Sequence, residues 1–194
     1  MHSVLLIDLP AHGESEGDRI TFGFREAKGV SAALAFLRGR LPSERIGVIA
    51  VSLGAASLIY SNPSRAPDAV VLESVYPTIK EAVEARLALR LGDIGKSMAP
   101  LLLGQLPLRL GISRNDLQPI VRLPKLGAPV LIVAGAEDLH TTLPETQRLF
   151  AAAQSPKELW IMDGAAHVNL YDYGPAAYEA KVVTFLARHL RNGT

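Results

Sequence analysis

The sequence predicts a doubly wound α/β fold, in which helices cover both faces of a parallel sheet. Short runs rich in Val, Ile and Leu alternate along the chain with segments whose apolar residues recur at helical spacing. Runs that are apolar throughout are typical of strands buried on both faces, as parallel strands are. A chain of 194 residues is long enough for a sizeable core, so we predict one domain over residues 1–194.

Five strands are predicted, each a short apolar run bounded by turn-forming residues. They cover residues 4–8, 46–51, 69–73, 129–134 and 158–162. Helices are predicted at residues 24–38, directly after Ser52 and between the last two strands. A C-terminal helix is predicted from the spacing of Tyr178, Val182 and Phe185.

Residues 75–126 interrupt this alternation. Apolar residues recur at every fourth position from Ile79 to Leu91, which predicts a helix, and residues 98–112 are apolar but broken by Pro and Gly. Two interpretations stay open for the insertion. It is either a candidate lid or cap over a site, or a helical excursion that simply covers the sheet.

Composition excludes several functional classes. The formal net charge is +1 without any block of like charges, which gives nucleic-acid binding no electrostatic support. The sequence contains no cysteine, which excludes disulfides, thiolate metal sites and cysteine nucleophiles. The first residues lack the basic flank of a signal peptide, and no apolar stretch is long enough to span a bilayer. We therefore predict a cytoplasmic protein without a membrane span.

The stretch around Ser52 is the most informative in the sequence. An apolar β-branched run ends at Ser52, and a helical pattern of small residues begins directly after it. This predicts a strand, a tight turn and a helix, with the serine hydroxyl held in a strained position above the sheet edge. Gly54 matches the second glycine of the G-x-S-x-G pattern, and Ala50 stands where the pattern has its first glycine. Small residues are expected at both positions because the strand and the helix cross closely there. The simpler interpretation of Ser52 is a helix N-cap.

Two further polar residues follow the last two predicted strands. Asp138 and His167 each lie in a glycine-bearing loop, so both can meet Ser52 at the shared carboxyl edge of a parallel sheet. Serine is a poor nucleophile until a base takes its proton, which histidine does near neutral pH while a carboxylate orients the imidazole. Asp138 could instead cap the helix that follows. The neighbouring His140 is expected to be a surface residue.

The chain resembles the α/β-hydrolase superfamily from Val4 to the last helix. It is most similar to bacterial serine hydrolases that carry a D-x-x-x-H-G-x-S motif after a strand, present here as Asp8-Leu-Pro-Ala-His12-Gly13-Glu-Ser15. The turn at Ser52, a G-x-x-D loop at residues 135–138 and a G-x-x-H loop at residues 164–167 follow in the order typical of that superfamily.

The resemblance implies a serine hydrolase that cleaves an ester, thioester or amide through an acyl-enzyme and needs no cofactor. It implies that Ser52 is the nucleophile, His167 the general base and acid, and Asp138 the residue that orients His167. The main-chain N–H of Leu53 would be one donor to the oxyanion. Glu73, at the end of the third predicted strand, is an alternative acid, since some members of the superfamily take their acid from that position. No His and Asp residues have metal-ligand spacing, which disfavours a metal hydrolase.

One part of the superfamily pattern has no counterpart in the sequence. The resemblance implies a strand that lies between residues 4–8 and 46–51 in the sheet, and whose following loop supplies the second oxyanion donor. Without it, either a gap opens in the sheet or the first two strands pair directly, leaving an exposed first edge. We therefore hypothesise an N-terminally shortened hydrolase, whose bare edge strand favours a homo-oligomer.

Two functional interpretations follow. The first is a serine hydrolase for a small-molecule acyl ester or thioester, with the Leu-rich residues 98–112 forming an apolar acyl pocket. The alternative is a non-catalytic or partner-completed binding domain that keeps the three polar residues but lacks a complete oxyanion hole.

Overall fold

A four-stranded parallel sheet lies at the centre of the structure, a computed structural model that describes residues 3–191. The strands, in chain order and in the order of the sheet, are β1 (Gly47–Val51), β2 (Ala69–Glu73), β3 (Val130–Gly135) and β4 (Lys157–Met162). All neighbouring pairs are parallel. The predicted α/β class with a parallel sheet is therefore confirmed, and these four strands lie within one residue of their predicted bounds.

Eight α-helices surround the sheet in the described part of the chain. They are α1 (Ala27–Arg40), α2 (Leu53–Ser61), α3 (Ile79–Leu103), α4 (Leu106–Leu110), α5 (Pro119–Arg122), α6 (Leu143–Ala152), α7 (Leu170–Tyr173) and α8 (Pro175–Leu190), with a 3₁₀ turn at Leu123–Lys125. None of the helices formed by residues 3–191 is both long enough and apolar enough to cross a membrane.

The two faces of the sheet are covered by different helices. Leu72 and Ile132 point to the face covered by α1, α2 and α6. Val71 and Leu131, the residues before them, point to the opposite face, which α8 covers. Every residue of β2 and β3 is buried, which explains why both strands are apolar along almost their whole length.

The strand predicted at residues 4–8 is wrong. These residues have no regular secondary structure, and Val4 and Leu6 are 80% and 88% exposed. A strand needs a neighbour for its ladder hydrogen bonds, and none of the strands among residues 3–191 pairs with this segment. The sheet therefore has four strands instead of five. Its exposed first edge is β1, where the side chains of Ile49 and Val51 are about half exposed.

The insertion at residues 75–126 is helical and bent. α3 begins after Thr78, whose hydroxyl accepts the main-chain N–H of Glu81, and it bends at Gly92, where φ is 63°. Glycine tolerates this left-handed conformation without steric cost. Beyond the bend, α3 packs with α4 in a small core of its own that includes Ala99, Leu103 and Leu106.

We expect Leu131→Ala to lower the free energy of unfolding by about 2–5 kcal/mol, because it leaves a cavity between the sheet and α8. Leu131 is fully buried. Urea denaturation followed by circular dichroism measures the change. The matched control is Leu6→Ala, for which we expect less than about 0.5 kcal/mol because the side chain is exposed. A comparable loss in both variants would contradict the exposed conformation of residues 4–8.

Candidate active site

Ser52 occupies a strained turn between β1 and α2. Its backbone has φ 49° and ψ −110°, a combination that is costly for any residue other than glycine. The turn is held by two main-chain hydrogen bonds: the N–H of Ser52 donates to the carbonyl of Glu73 at 2.8 Å, and its carbonyl accepts from Ala56 at 3.1 Å. The side chain of Ser52 makes no capping hydrogen bond to α2 in the described structure. The N-cap interpretation therefore does not account for this serine.

The small residues beside Ser52 have different surroundings. Ala50 is buried against the core beneath α2, as the predicted close crossing requires. Around Gly54, however, a built Cβ would meet no heavy atom within 4 Å of the described structure. The expectation that close packing requires glycine at this position is wrong, because the outer side of the turn is open.

The carboxylate of Asp138 and the imidazole of His167 are hydrogen bonded. His167 Nδ1 lies 2.7 Å from Asp138 Oδ2. Asp138 is buried and also accepts the main-chain N–H groups of His140 and Thr141 and the hydroxyl of Thr141. Burial alone would raise the pKa of Asp138, but the hydrogen bonds from His167 and Thr141 outweigh it and lower the pKa to about 2. Asp138 is therefore ionised at neutral pH and can fix the orientation of His167.

Close backbone packing holds the loops of Asp138 and His167 together. The N–H of Glu137 donates to the carbonyl of Ala165 at 2.8 Å, and the N–H of Ala136 donates to the carbonyl of Met162 at 2.9 Å. A Cβ built on Gly135 would lie only 2.2 Å from the carbonyl oxygen of Ala165. Glycine is required here because any side chain would push the two loops apart.

Ser52 lies on the same sheet edge as Asp138 and His167. No hydrogen bond joins the hydroxyl of Ser52 to His167 among residues 3–191, so the structure brings together two of the three predicted residues and leaves the third apart. Such contacts are often long before a substrate is bound. Leu53 is the first residue of α2, so its N–H has no acceptor within the helix and is available to an anion.

Glu73, the alternative acid, has a different partner. Its carboxylate is buried and accepts the hydroxyl of Tyr178 from α8. Burial raises the pKa of Glu73, although the hydrogen bond from Tyr178 opposes this effect. The carboxylate bonded to His167 is that of Asp138. Within residues 3–191, no three His, Asp or Glu side chains lie close enough together to hold a metal ion.

His140, which the sequence suggested to be a surface residue, is half-buried beside the site. Its ring packs against that of His167, with 4.9 Å between the ring centroids, and its Nδ1 is shielded from solvent without a hydrogen-bond partner in the described structure. Burial lowers the pKa of His140, and the charge of Arg86 adds to this effect, whereas the carboxylate of Asp138 opposes it. The available signal was its position two residues after Asp138, in a loop that the sequence predicts to meet His167.

The motif at residues 8–15 forms a closed loop. The hydroxyl of Ser15 donates to the carbonyl of Asp8 at 2.8 Å, and the carboxylate of Asp8 accepts the N–H of Glu14 at 3.0 Å. His12 Nδ1 lies 3.0 Å from the carbonyl of Pro10. The polar groups of this motif therefore bind to one another.

The chain is similar to several known proteins. The sequence pattern of the Alpha/beta hydrolase family matches residues 2–180. The uncharacterized protein YqkD of Bacillus subtilis is 25% identical over 188 residues, covering 95% of this chain and 62% of that protein. The uncharacterized protein Rv2307c of Mycobacterium tuberculosis is 30% identical over 167 residues, covering 85% of this chain and 53% of that protein. The chain thus spans less than two thirds of the length of either relative.

Solved structures share the fold. The Pyrococcus furiosus esterase Pf2001 superposes with a TM-score of 0.75 at 22% identity, covering 95% of this chain and 69% of that one. A monoacylglycerol lipase of Paleococcus ferrophilus superposes with a TM-score of 0.61 at 21% identity, covering 93% of this chain and 81% of the lipase. Identities this low establish a common fold and leave the substrate open.

We expect Asp138→Asn to destabilise the fold at neutral pH and to lose this effect in acid. The folded-state pKa of Asp138, about 2, lies below its ordinary value of 3.8. The carboxylate therefore stabilises the fold above about pH 4, and this contribution is lost as the pH falls toward 2. Urea denaturation from pH 7 to pH 3 measures the difference between variant and wild type.

The control for this experiment is Asp93→Asn, because the side chain of Asp93 is fully exposed. We expect this change to have little effect on stability at any pH in the series. A stability difference for Asp138→Asn that stays constant from pH 7 to pH 3 would contradict the hydrogen-bonded, ionised carboxylate.

Proposed function

The chain belongs to the alpha/beta hydrolase family, and on that premise we propose that it is a serine hydrolase for acyl esters or thioesters. The observation that carries the proposal is the hydrogen bond between the buried carboxylate of Asp138 and His167, on the same sheet edge as the strained Ser52. A carboxylate, an imidazole and a serine held in a turn are the three groups that acyl transfer to serine requires.

In the proposed reaction, the hydroxyl oxygen of Ser52 attacks the acyl carbonyl while His167 Nε2 takes its proton. Asp138, ionised at neutral pH, stabilises the imidazolium through Nδ1. The N–H of Leu53 donates to the oxyanion, and the positive end of α2 favours the charge that develops there. His167 then returns the proton to the leaving group. Water next attacks the acyl-enzyme while His167 takes its proton, and Ser52 leaves with the proton that His167 returns.

Ester substrates are favoured by two observations. The names of the similar structures are those of an esterase and a monoacylglycerol lipase. Within the insertion at residues 75–126, the proposed lid, the side chains of Leu101 and Leu108 are 67% and 89% exposed. We propose that these leucines contact the acyl group, in a protein that acts in the cytoplasm on a small-molecule substrate.

A second candidate function is an α/β-hydrolase-like binding domain, either non-catalytic or completed by a partner. Two features favour it. The hydroxyl of Ser52 is not hydrogen bonded to His167, and only one donor of the oxyanion hole, the N–H of Leu53, is assigned. Loss of one oxyanion donor lowers kcat by about 10²–10³. Chemical labelling of Ser52 separates the two functions, because a binding domain does not need an activated hydroxyl.

We expect a fluorophosphonate to add once to the wild-type protein and not to Ser52→Ala. The reason is that Ser52 is the serine that the proposed base, His167, would make nucleophilic. Intact mass spectrometry measures the adduct. The control is Ser57→Ala, one turn further along α2, where the hydroxyl donates to the carbonyl of Leu53 and the adduct should persist. An unlabelled but folded wild-type protein would favour the binding domain.

We also propose that the bare edge of β1 mediates self-association. Among residues 3–191, β1 pairs only with β2, and Ile49 is half exposed on β1, so a second copy can add to the sheet. We expect Ile49→Lys to shift the protein toward the monomer in size-exclusion chromatography with light scattering. Val121→Lys, at an exposed apolar position of α5, is the control and should leave the assembly state unchanged. A wild-type monomer at high concentration would contradict the interface.

A further inference from the structure

His140 and the proposed base, His167, share the carboxylate of Asp138. Oδ2 of Asp138 lies 2.7 Å from His167 Nδ1, and Oδ1 accepts the main-chain N–H of His140 at 2.8 Å. The rings of the two histidines are themselves in contact, with 4.9 Å between their centroids and an angle of 58° between their planes. These three contacts close a triangle, in which Asp138 fixes the backbone of one histidine and the ring of the other.

The hydrogen bond to Asp138 does not by itself fix the plane of the His167 ring. It holds one ring atom, Nδ1, and hydrogen-bond geometry is broad enough for the ring to pivot about that atom. The side chain of His167 is 26% exposed, so the protein does not enclose the ring on every side. The contact with the ring of His140 supplies a second point of support, at a separation typical of packed aromatic pairs.

The ring of His140 is carried by a segment that is itself tied down. The N–H groups of His140 and Thr141 both donate to the carboxylate of Asp138. Thr142 follows as the N-cap of α6, and its own N–H donates to the carboxylate of Glu145 at 2.6 Å. Because the backbone is held on both sides of His140, its ring can serve as a fixed surface for a neighbouring side chain.

A hydrogen bond of Nδ1 does not explain the place of the His140 ring. This atom is shielded from solvent and has no hydrogen-bond partner among residues 3–191, which is unfavourable for stability. Burial lowers the pKa of His140, so its ring is uncharged at neutral pH. An uncharged ring does not repel the imidazolium that His167 forms in the proposed reaction. His140 therefore offers His167 a neutral packing surface.

We propose that His140 is a positioning residue for the general base, and that its ring holds the imidazole of His167 at one angle while Asp138 holds Nδ1. This inference rests on the proposed hydrolase function and gives His140 a role that acts through His167. Nε2 lies across the ring from Nδ1, so a fixed ring presents Nε2 to the hydroxyl of Ser52 in one orientation. Proton transfer depends on this alignment, and a displacement of about 1 Å can lower a rate about 100-fold.

The kinetic test compares kcat and KM for 4-nitrophenyl butyrate. His140→Ala removes the ring and should lower kcat about tenfold or more with little change in KM, because the lost alignment matters in the transition state. His140→Phe keeps an aromatic ring and should recover most of kcat. Leu139→Ala is the matched control, because Leu139 precedes His140 in the same loop and its side chain is 61% exposed. This control should behave as wild type.

Proton NMR reads the orientation of His167 without any substrate. The proton on Nδ1 is expected far downfield because it is hydrogen bonded to Asp138, and its resonance is identified by its loss in His167→Gln. We expect this resonance to broaden through exchange with water in His140→Ala, and to stay sharp in His140→Phe and Leu139→Ala. Thermal unfolding followed by circular dichroism checks the fold, and His140→Phe should be at least as stable as wild type because it removes the unpaired nitrogen.

Three results would overturn the proposal: an unchanged kcat and a sharp resonance in His140→Ala, an equal loss of kcat in His140→Phe and His140→Ala, or a raised KM at unchanged kcat. The second would show that the packing surface is not what matters, and the third would indicate contact with the substrate. If wild type neither hydrolyses the ester nor reacts with a fluorophosphonate, the proposed function fails. The NMR comparison then still decides whether His140 holds the ring of His167.

Discussion

A row of main-chain hydrogen bonds across the carboxyl end of the sheet fixes the positions of the loops that carry the site. Ser52 donates to Glu73, Ser74 donates to Val133, and Ala136 donates to Met162, each at 2.8–2.9 Å. The row extends the parallel ladder one residue beyond the strands, so each loop starts at a defined height and spacing. Because these bonds are made by the backbone, the geometry of the edge depends on strand register more than on any side chain.

This dependence explains which parts of the fold could be predicted. A strand buried on both faces must be apolar along its length, so β2 and β3 are visible in the sequence with almost correct bounds. Residues 4–8 have the same composition and form no strand. An apolar composition shows that a segment is able to form a strand. A strand also needs a neighbouring strand to pair with, and the segment's own sequence does not show whether one is present.

The same reasoning applies to the site. The order of Ser52, Asp138 and His167 along the chain, each after a predicted strand, was sufficient to place all three on one edge. The glycine and the spacing of its loop favoured Asp138 over Glu73 as the partner of His167, and in the structure Asp138 is hydrogen bonded to His167. The sequence could not predict the partner of Glu73, which is the hydroxyl of Tyr178, 105 residues away. A buried carboxylate needs a hydrogen-bond donor, and this one is supplied by the opposite layer of the fold.

The close approach of Gly135 to Ala165 also limits how this chain can change under laboratory evolution. The carbonyl of Ala165 occupies the space that a side chain at position 135 would need, so this position accepts no other amino acid without moving two loops at once. By contrast, the exposed side of α3 contacts few neighbours and tolerates many side chains. Libraries that aim to alter selectivity will therefore find most of their viable members on the helix, while the strand end that joins the acid and histidine loops stays fixed.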